Sequence, residues 1–422
     1  MEEKILNWSN KLGNQRYLKA IRNSFITILP ITVMGGLVAV ISAAPVTEDT
    51  TNGFLLAWAD FVAKNTLIFS WVNALTLGAL AIYVCLTLTW FLCKHYKLDA
   101  LIPMLVSFFG VMLLTIEPQK LAFDGKTAEI SYIDGKGLLV GFFVSIVTVE
   151  LFRILKAKHF GEIKLPSSVP ASLSDTFSSL ATTVVIMGLF SFVYALFNHF
   201  DTTMAIWVTT IITPSLKATD SLWFVLIMTI LINIGWFFGI HNATFWGLMG
   251  PIMFMNLSAN AAAIADGQTP TAFLSEPTWA YFIIIGGVGN CLSLGILLCL
   301  SKSTQMRAVG RMGIIPAFFG ISEPITFGLP IMLNPIMFIP NFLTGAVNAT
   351  ITYLLMNGGI IKNPFAMLSF NMPSIFGAYF STSDIKASVL IVVLIAIDIV
   401  IYFPFFKMNE RQQLKVEQAT SD

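Results

Sequence analysis

Long runs of apolar residues recur along the chain and are separated by short polar stretches. The first run, residues 23–47, contains no Asp, Glu, Lys or Arg. About 18 such residues are enough to predict a membrane-spanning helix. Comparable windows predict about ten spanning helices, and hence an all-α polytopic membrane protein. The expected spans lie near residues 23–44, 68–92, 100–116, 137–156, 177–198, 221–239, 243–258, 279–300, 331–356 and 386–406.

Composition agrees with a membrane protein and argues against several other classes. Of the 422 residues, 56% are hydrophobic and 11% are charged, whereas soluble domains carry about 25% charged residues. The net charge is +1 and no basic cluster lies among aromatic residues, so we expect no nucleic-acid partner. The sequence has no phosphate-binding loop, and its four cysteines lack zinc-type spacing. We therefore expect neither a cofactor nor a metal site.

Lysine and arginine indicate which side of the membrane each end occupies. Residues 1–22 carry five of these bases against two acids, and they predict a short amphipathic helix on the membrane surface. Short basic loops remain in the cytoplasm, and bases also cluster at 302–311 and after residue 406. We therefore expect both termini in the cytoplasm. The run at residues 23–44 is interpreted as a spanning helix and not as a signal peptide.

The stretch Gly320–Pro340 places one acid and four prolines inside an otherwise apolar sequence. Irregular backbone persists at membrane depth only where it is buried in protein or lines a cavity, and broken helices form many transporter sites. Ser322 and Pro324 predict a helix start, where the helix dipole favours the charge of Glu323. A charge at the bilayer centre costs about 2.5–3.5 kcal/mol, which hydrogen bonds from a hydroxyl-rich ligand would offset. In the alternative interpretation, Glu323 lies in headgroup water as part of a simple helix cap.

A second candidate patch, residues 233–251, is uncharged and rich in glycine and aromatic side chains. His241 follows a glycine turn and precedes Asn242, which predicts a break that exposes the imidazole. Sugars present C–H faces that stack on aromatic rings, and hydroxyls that need hydrogen-bonding partners; Trp236, His241 and Asn242 supply both. The alternative is a histidine satisfied within the core. A third patch broken by proline and glycine begins at Phe370 and predicts a second re-entrant element.

The segments WFFGIH and GISEPITFGLPIMLNPIMFIP resemble the membrane (IIC) component of the bacterial sugar phosphotransferase system, in its lactose, cellobiose and chitobiose group. The resemblance extends over essentially the whole chain. It implies a homodimer in the bacterial cytoplasmic membrane, with about ten spanning helices and re-entrant hairpins in each protomer. Residues 1–164 would form the dimerisation half, residues 165–406 the sugar-binding half, and residues 407–422 a cytoplasmic tail.

The resemblance also implies an activity and assigns roles in it. An external disaccharide, β-linked as in cellobiose, chitobiose or lactose, would move inward by alternating access. A separate cytoplasmic IIB protein, recharged by IIA, would then phosphorylate the primary hydroxyl, so the chemistry belongs to the complex. Glu323 and His241 would bind the sugar beside Trp236, Asn242 and Phe370. Glu323 would in addition be the catalytic residue, orienting the hydroxyl or accepting its proton.

Three departures from the usual family pattern leave the identity of the sugar open. The family has glycine where Asn242 stands and often tryptophan where Phe370 stands, and its Asn-Ile-Asn before Glu-Pro is Gly-Ile-Ser in this chain. Fifteen residues follow Lys407, so we expect IIB to be a separate protein. The main alternative is an ion-coupled sugar symporter that uses Glu323 to couple transport to protons.

Overall fold

A computed structural model describes residues 15–42, 44, 46, 50–115, 132–161, 171–237, 243–329 and 334–421. Within these residues the regular secondary structure is helical throughout and contains no β-strand. Six of the described helices are long and apolar enough to span a membrane, and two shorter ones, residues 101–115 and 222–237, are also apolar. The predicted all-α membrane class is therefore confirmed. The predicted N-terminal surface helix lies mostly outside the described residues.

Helix boundaries follow local capping chemistry. The side chain of Asn52 accepts the backbone N–H groups of Phe54 and Leu55 and so begins the helix Gly53–Lys64. Lys97 ends the helix Leu80–Tyr96 with a left-handed φ of 56°. A π-helical turn occupies Thr278–Ile283. The α-helices in chain order are α1 (Arg16–Ser42), α2 (Gly53–Lys64), α3 (Thr66–Leu75), α4 (Leu80–Tyr96), α5 (Leu101–Thr115), α6 (Leu138–Ala157), α7 (Ala171–Asn198), α8 (Met204–Thr219), α9 (Leu222–Phe237), α10 (Ala243–Ala265), α11 (Cys291–Cys299), α12 (Thr304–Phe318), α13 (Glu323–Gly328), α14 (Pro335–Asn357), α15 (Ser374–Thr382) and α16 (Ile385–Ser421).

One of two compact units comprises residues 14–31 and 74–216 and has α4, α5, α6 and α7 at its centre. Small residues let these helices approach closely, since a Cβ on Gly110 would lie 2.8 Å from the Phe190 ring. Buried hydroxyls bond to backbone carbonyls, as Ser145 does to the Cys85 oxygen at 2.8 Å. Such pairing is what an apolar interior requires of its polar groups.

The other unit comprises the described residues within 32–73 and 217–421. In it α9 packs along α14, and α16 packs against α11, α14 and α15. The Asp220 carboxylate, just before α9, accepts the backbone N–H groups of Phe273 at 2.9 Å and Leu274 at 2.5 Å. These bonds fix the segment that leads into the π-helical turn. The functional division of the chain after residue 164 remains a prediction.

The structure corrects the predicted span at residues 279–300. The chain instead forms the π-helical turn, a loop and the nine-residue helix α11. Gly286, Gly287 and Gly289 in the loop adopt φ values of +77°, +95° and +81°. Glycine enters this left-handed region at little steric cost, and one such residue is enough to end a helix. Hydropathy did not reveal the break because the loop contains no charged residue and its glycines are averaged with the apolar residues on either side.

The predicted span at 68–92 falls within the candidate spanning segment Thr66–Tyr96, in which the 3-10 turn Leu77–Ala79 joins α3 to α4. Two other predictions differ from the structure. The basic segment 302–311, predicted as a loop, forms the beginning of α12. Ser303 caps this helix by accepting the backbone N–H of Met306 at 3.2 Å. Helices α2 and α8 lie where the sequence analysis expected connecting loops.

Candidate functional site

Glu323 begins a short helix at the end of a broken segment, as the sequence predicts. After α12 the chain turns at Gly320, where φ is +79°, and α13 starts at Glu323 with Pro324 in its first turn. The predicted capping by the Ser322 hydroxyl is wrong, because that hydroxyl makes no cap hydrogen bond. The Ser322 backbone is already helical, with φ −87° and ψ −17°, whereas a capping side chain needs an extended backbone.

The turn before Glu323 packs against the segment that carries Phe370. A Cβ on Gly320 would lie 3.3 Å from the carbonyl oxygen of Phe370. Phe370 in turn meets Trp246, in the first turn of α10, edge to face with ring centroids 5.2 Å apart. Edge-to-face pairs are a favourable arrangement of aromatic rings. These contacts connect three segments that are distant in sequence: the turn before Glu323, the segment of Phe370 and the first turn of α10. This chain of contacts is termed the path from the Glu323 turn to α10.

Trp246 also lines a small apolar pocket formed by α9, α10 and the π-helical turn. The lining residues are Ile232, Phe245, Trp246, Met249, Met253 and Trp279. The predicted site residue Trp236 lies one helical turn beyond Ile232 on α9 and is 4% exposed. Its position is therefore next to the wall of this pocket. The cavity measures about 10 Å³, room for about one water molecule, so these walls are packed against one another in this conformation.

His241 and Asn242 lie outside the described residues, between α9 and α10. Phe237, the last residue of α9, packs against Phe338 in the first turn of α14 with ring centroids 4.6 Å apart. This contact joins the end of α9 to the helix that follows the Glu323 segment. The placement of His241 and Asn242 against a sugar remains a prediction.

Two residues that the sequence analysis did not select lie near the same path. The Tyr281 hydroxyl donates a hydrogen bond of 2.6 Å to the carbonyl oxygen of Ser369. Glu276, within electrostatic range of Tyr281, is fully buried, and neither carboxylate oxygen has a hydrogen-bond partner in the described part of the chain. Ser-Glu-Pro occurs at 275–277 as well as at 322–324. The second Ser-Glu-Pro was the feature of the sequence that could have pointed to Glu276.

The arrangement suits an uncharged ligand that is rich in hydroxyl groups. The half-buried Glu323 offers hydrogen-bond acceptors, and Phe370 and Trp246 offer aromatic surface. Among residues the structure describes, no group of three or more His, Cys, Asp or Glu is placed to hold a metal ion. A neutral polyol would therefore find both kinds of contact that it needs.

Comparison with known proteins identifies similar sequences over the whole length. The family model described as "Phosphotransferase system, EIIC" matches residues 22–345. The chain is 28% identical over 439 residues to the "Lichenan permease IIC component" of Bacillus subtilis (strain 168), covering 99% of this chain and 94% of that protein. It is 28% identical over 427 residues to the "PTS system lactose-specific EIICB component" of Streptococcus mutans serotype c, covering 98% of this chain and 73% of that protein. The crystal structure of the transporter ChbC, the IIC component of the N,N'-diacetylchitobiose-specific phosphotransferase system, matches with a TM-score of 0.88 at 26% identity, covering 99% of both chains.

Proposed function

Because the chain belongs to the EIIC family of the phosphotransferase system, we propose that it carries an external β-linked disaccharide into the cell. The chain is a sugar permease of that system, and cellobiose, chitobiose and lactose are the candidate sugars. Relatives named for lichenan, lactose and N,N'-diacetylchitobiose support a substrate of this class. The comparisons do not support the ion-coupled symporter.

The observation that carries the proposed site is the path from the Glu323 turn through Phe370 to α10. In this proposal the Glu323 carboxylate accepts hydrogen bonds from sugar hydroxyls, while Phe370 and Trp236 pack against the C–H faces of the sugar rings. His241 and Asn242 supply the remaining polar contacts. A hydrogen bond to a charged group contributes about 1.5–3 kcal/mol, so the carboxylate would be a main source of affinity.

Phosphorylation follows the inward movement of the sugar by alternating access. The primary hydroxyl oxygen of the sugar attacks the phosphorus of a phosphocysteine on IIB. The P–O bond forms, the P–S bond breaks and the cysteine leaves as a thiolate. Glu323 orients the attacking hydroxyl or accepts its proton. The charged sugar phosphate cannot return across the bilayer, so accumulation requires no ion gradient.

The proposed assembly is a homodimer of protomers with about ten spanning helices each. Its dimer contacts come from residues 1–164, its sugar site from residues 165–406, and both termini face the cytoplasm of a bacterial cell. IIB, recharged by IIA, docks at the cytoplasmic side, where α12 begins with a basic segment. The name EIICB of the lactose-specific relative supports IIB as the partner.

Sugar binding by Glu323→Gln tests this proposal, with Asp266→Asn as the matched control. The amide keeps the size of the side chain but loses its charge and one hydrogen-bond acceptor. We expect the affinity for cellobiose, lactose or chitobiose, whichever binds, to fall about ten- to a hundredfold. Asp266 is an exposed carboxylate in the turn after α10, so its amide should bind like the wild type. Unchanged affinity of Glu323→Gln in calorimetry would show that Glu323 is not a sugar ligand.

A further inference from the structure

The loop between the π-helical turn and α11 packs against the residue that precedes Glu323. This segment, residues 284–290, is termed the glycine loop. A Cβ on Gly287 would lie 2.6 Å from the Cβ of Ser322 and 2.9 Å from its backbone nitrogen. Real Cβ atoms essentially never approach other atoms this closely. The approach of the two segments therefore depends on the missing side chain of Gly287.

Helices α14 and α16 hold the other side of the glycine loop. The Tyr402 hydroxyl, on α16, donates a hydrogen bond to the carbonyl oxygen of Gly289. A Cβ on Gly289 would overlap the side-chain amide of Asn341, on α14. Within the loop, the side-chain oxygen of Asn290 accepts the backbone N–H of Ile285 at 2.5 Å. The loop is thus fixed by two helices and by its own internal hydrogen bond.

The beginning of α11 adds a second contact with α13. The Cys291 thiol lies 3.8 Å from the Thr326 hydroxyl, and both side chains are fully buried. Thr326 also donates a hydrogen bond of 3.0 Å to the carbonyl oxygen of Ser322. The glycine loop therefore contacts the residue before α13, and the residue after the loop contacts Thr326 within α13.

We propose that the glycine loop positions Glu323 and so helps to determine which sugar hydroxyl the carboxylate meets. Helix α13 has six residues, and a helix of that length is not stable without tertiary contacts. Its direction must therefore come from neighbours: a Cβ on Gly313 of α12 would lie 2.3 Å from the Ile325 side chain, and Gly287 of the glycine loop approaches Ser322, one residue before Glu323. Binding constellations tolerate displacements of only about 0.5 Å. The inference rests on the proposed function, in which Glu323 binds the sugar.

Gly287→Ala tests the contact, and Gly267→Ala provides a matched control. Both glycines have a positive φ, +95° and +69°, so alanine strains the backbone at either position. Only at Gly287 does the new methyl group meet a neighbour, because nothing lies within 4 Å of the Cβ position at Gly267. We expect Gly287→Ala to weaken cellobiose binding about tenfold or more, against about twofold or less for the control. Equal affinities of the two folded variants would overturn the inference.

Tyr402→Phe keeps the inference testable if Gly287→Ala does not fold. It removes the hydrogen bond to Gly289 and retains the aromatic ring, so we expect an affinity loss of about threefold or more. The same substitution in a Glu323→Gln background should cause little further loss, because a positioning residue acts only through the group it positions. An equal loss in both backgrounds would indicate a structural role alone and would overturn the inference.

The outcomes also separate this inference from the proposed function. Normal sugar binding by Glu323→Gln itself would overturn the role of Glu323 as a sugar ligand in the proposed function. Weak binding by Glu323→Gln, together with normal binding by Gly287→Ala and Tyr402→Phe, would overturn only the positioning role of the glycine loop.

Discussion

Replacing Glu276 by methionine should raise the stability of the folded protein. Glu276 is 0% exposed, and neither carboxylate oxygen is hydrogen-bonded within the described residues. A buried polar group without a partner costs about 1–3 kcal/mol. Methionine is an unbranched, flexible apolar side chain that adapts to the space available. We therefore expect Glu276→Met to stabilise the fold by about 1–3 kcal/mol.

Thr278 lies in the same segment and is equally buried, but its substitution should lower the stability of the fold. Its hydroxyl donates a hydrogen bond of 2.6 Å to the carbonyl oxygen of Phe273 and lies 2.9 Å from the Ser275 hydroxyl. Thr278→Val keeps the branched shape but leaves both partners without that contact. We expect this variant to lose about 1 kcal/mol. The two substitutions thus compare an unpartnered and a partnered polar group in one stretch of chain.

Thermal unfolding in detergent, followed by intrinsic fluorescence and by size exclusion of heated samples, measures the difference. Unfolding of large proteins is often irreversible, so the apparent midpoints are compared at one heating rate. The expected order is Glu276→Met above wild type and wild type above Thr278→Val. A lower midpoint for Glu276→Met would refute the reasoning, because it would reveal a partner for the carboxyl group in the folded protein. A gain in stability with a loss of transport would show that the acid is retained for function.

Two other expectations concern coupling and pH. Membrane vesicles should accumulate sugar phosphate only when phosphorylated IIB is supplied inside. A proton uncoupler should not prevent this accumulation. Accumulation of unmodified sugar that collapses when the uncoupler is added would instead favour a symporter. In the segment after residue 406, the Ser303 hydroxyl and the Gln305 N–H donate hydrogen bonds of 2.7 and 3.0 Å to Glu417 and hold its pKa below the usual range. A lowered pKa gives stability that is present above the ordinary glutamate pKa and is lost as pH falls through the lowered value. Glu417→Gln should therefore reduce thermal stability at neutral pH but not in strong acid, and an equal reduction at every pH would contradict this assignment.

The sequence could predict the Glu323 turn because proline, glycine and an acid are conspicuous within an apolar run. Phe370 stands out because Pro373 and Gly377 interrupt its apolar segment. Their contact could not be predicted, since it depends on the close approach of Gly320 to the Phe370 carbonyl oxygen and no local pattern specifies that pairing. Trp246, which completes the path, lies in the predicted patch at 233–251, but an aromatic residue in the first turn of a spanning helix does not stand out from the other aromatic residues there.

Other elements were missed where two sequence signals competed. The basic residues Arg307 and Arg311 favoured a cytoplasmic loop under the charge rule, whereas the Thr-Gln-Met-Arg-Ala sequence that opens α12 consists mostly of good helix formers. The two signals do not exclude each other, because a cytoplasmic segment can be helical. At the glycine loop, three glycines within four positions were the local signal, and the mean hydropathy of the window concealed it.

Helix α16 relates these elements to one another, because it contacts the broken segment at two levels. Its apolar part presents Tyr402 to the carbonyl oxygen of Gly289. Two turns further on, Glu410 accepts the Ser301 hydroxyl at 2.8 Å and the backbone N–H of Lys302 at 2.6 Å. These contacts lie at the two ends of α11, with the glycine loop before it and the start of α12 after it. The helix has 37 residues, and the stretch from Tyr402 to Glu410, about 12 Å long, connects the loop beside Glu323 to the segment that leads into the basic start of α12. This part of α16 therefore belongs to the same compact unit as the proposed site.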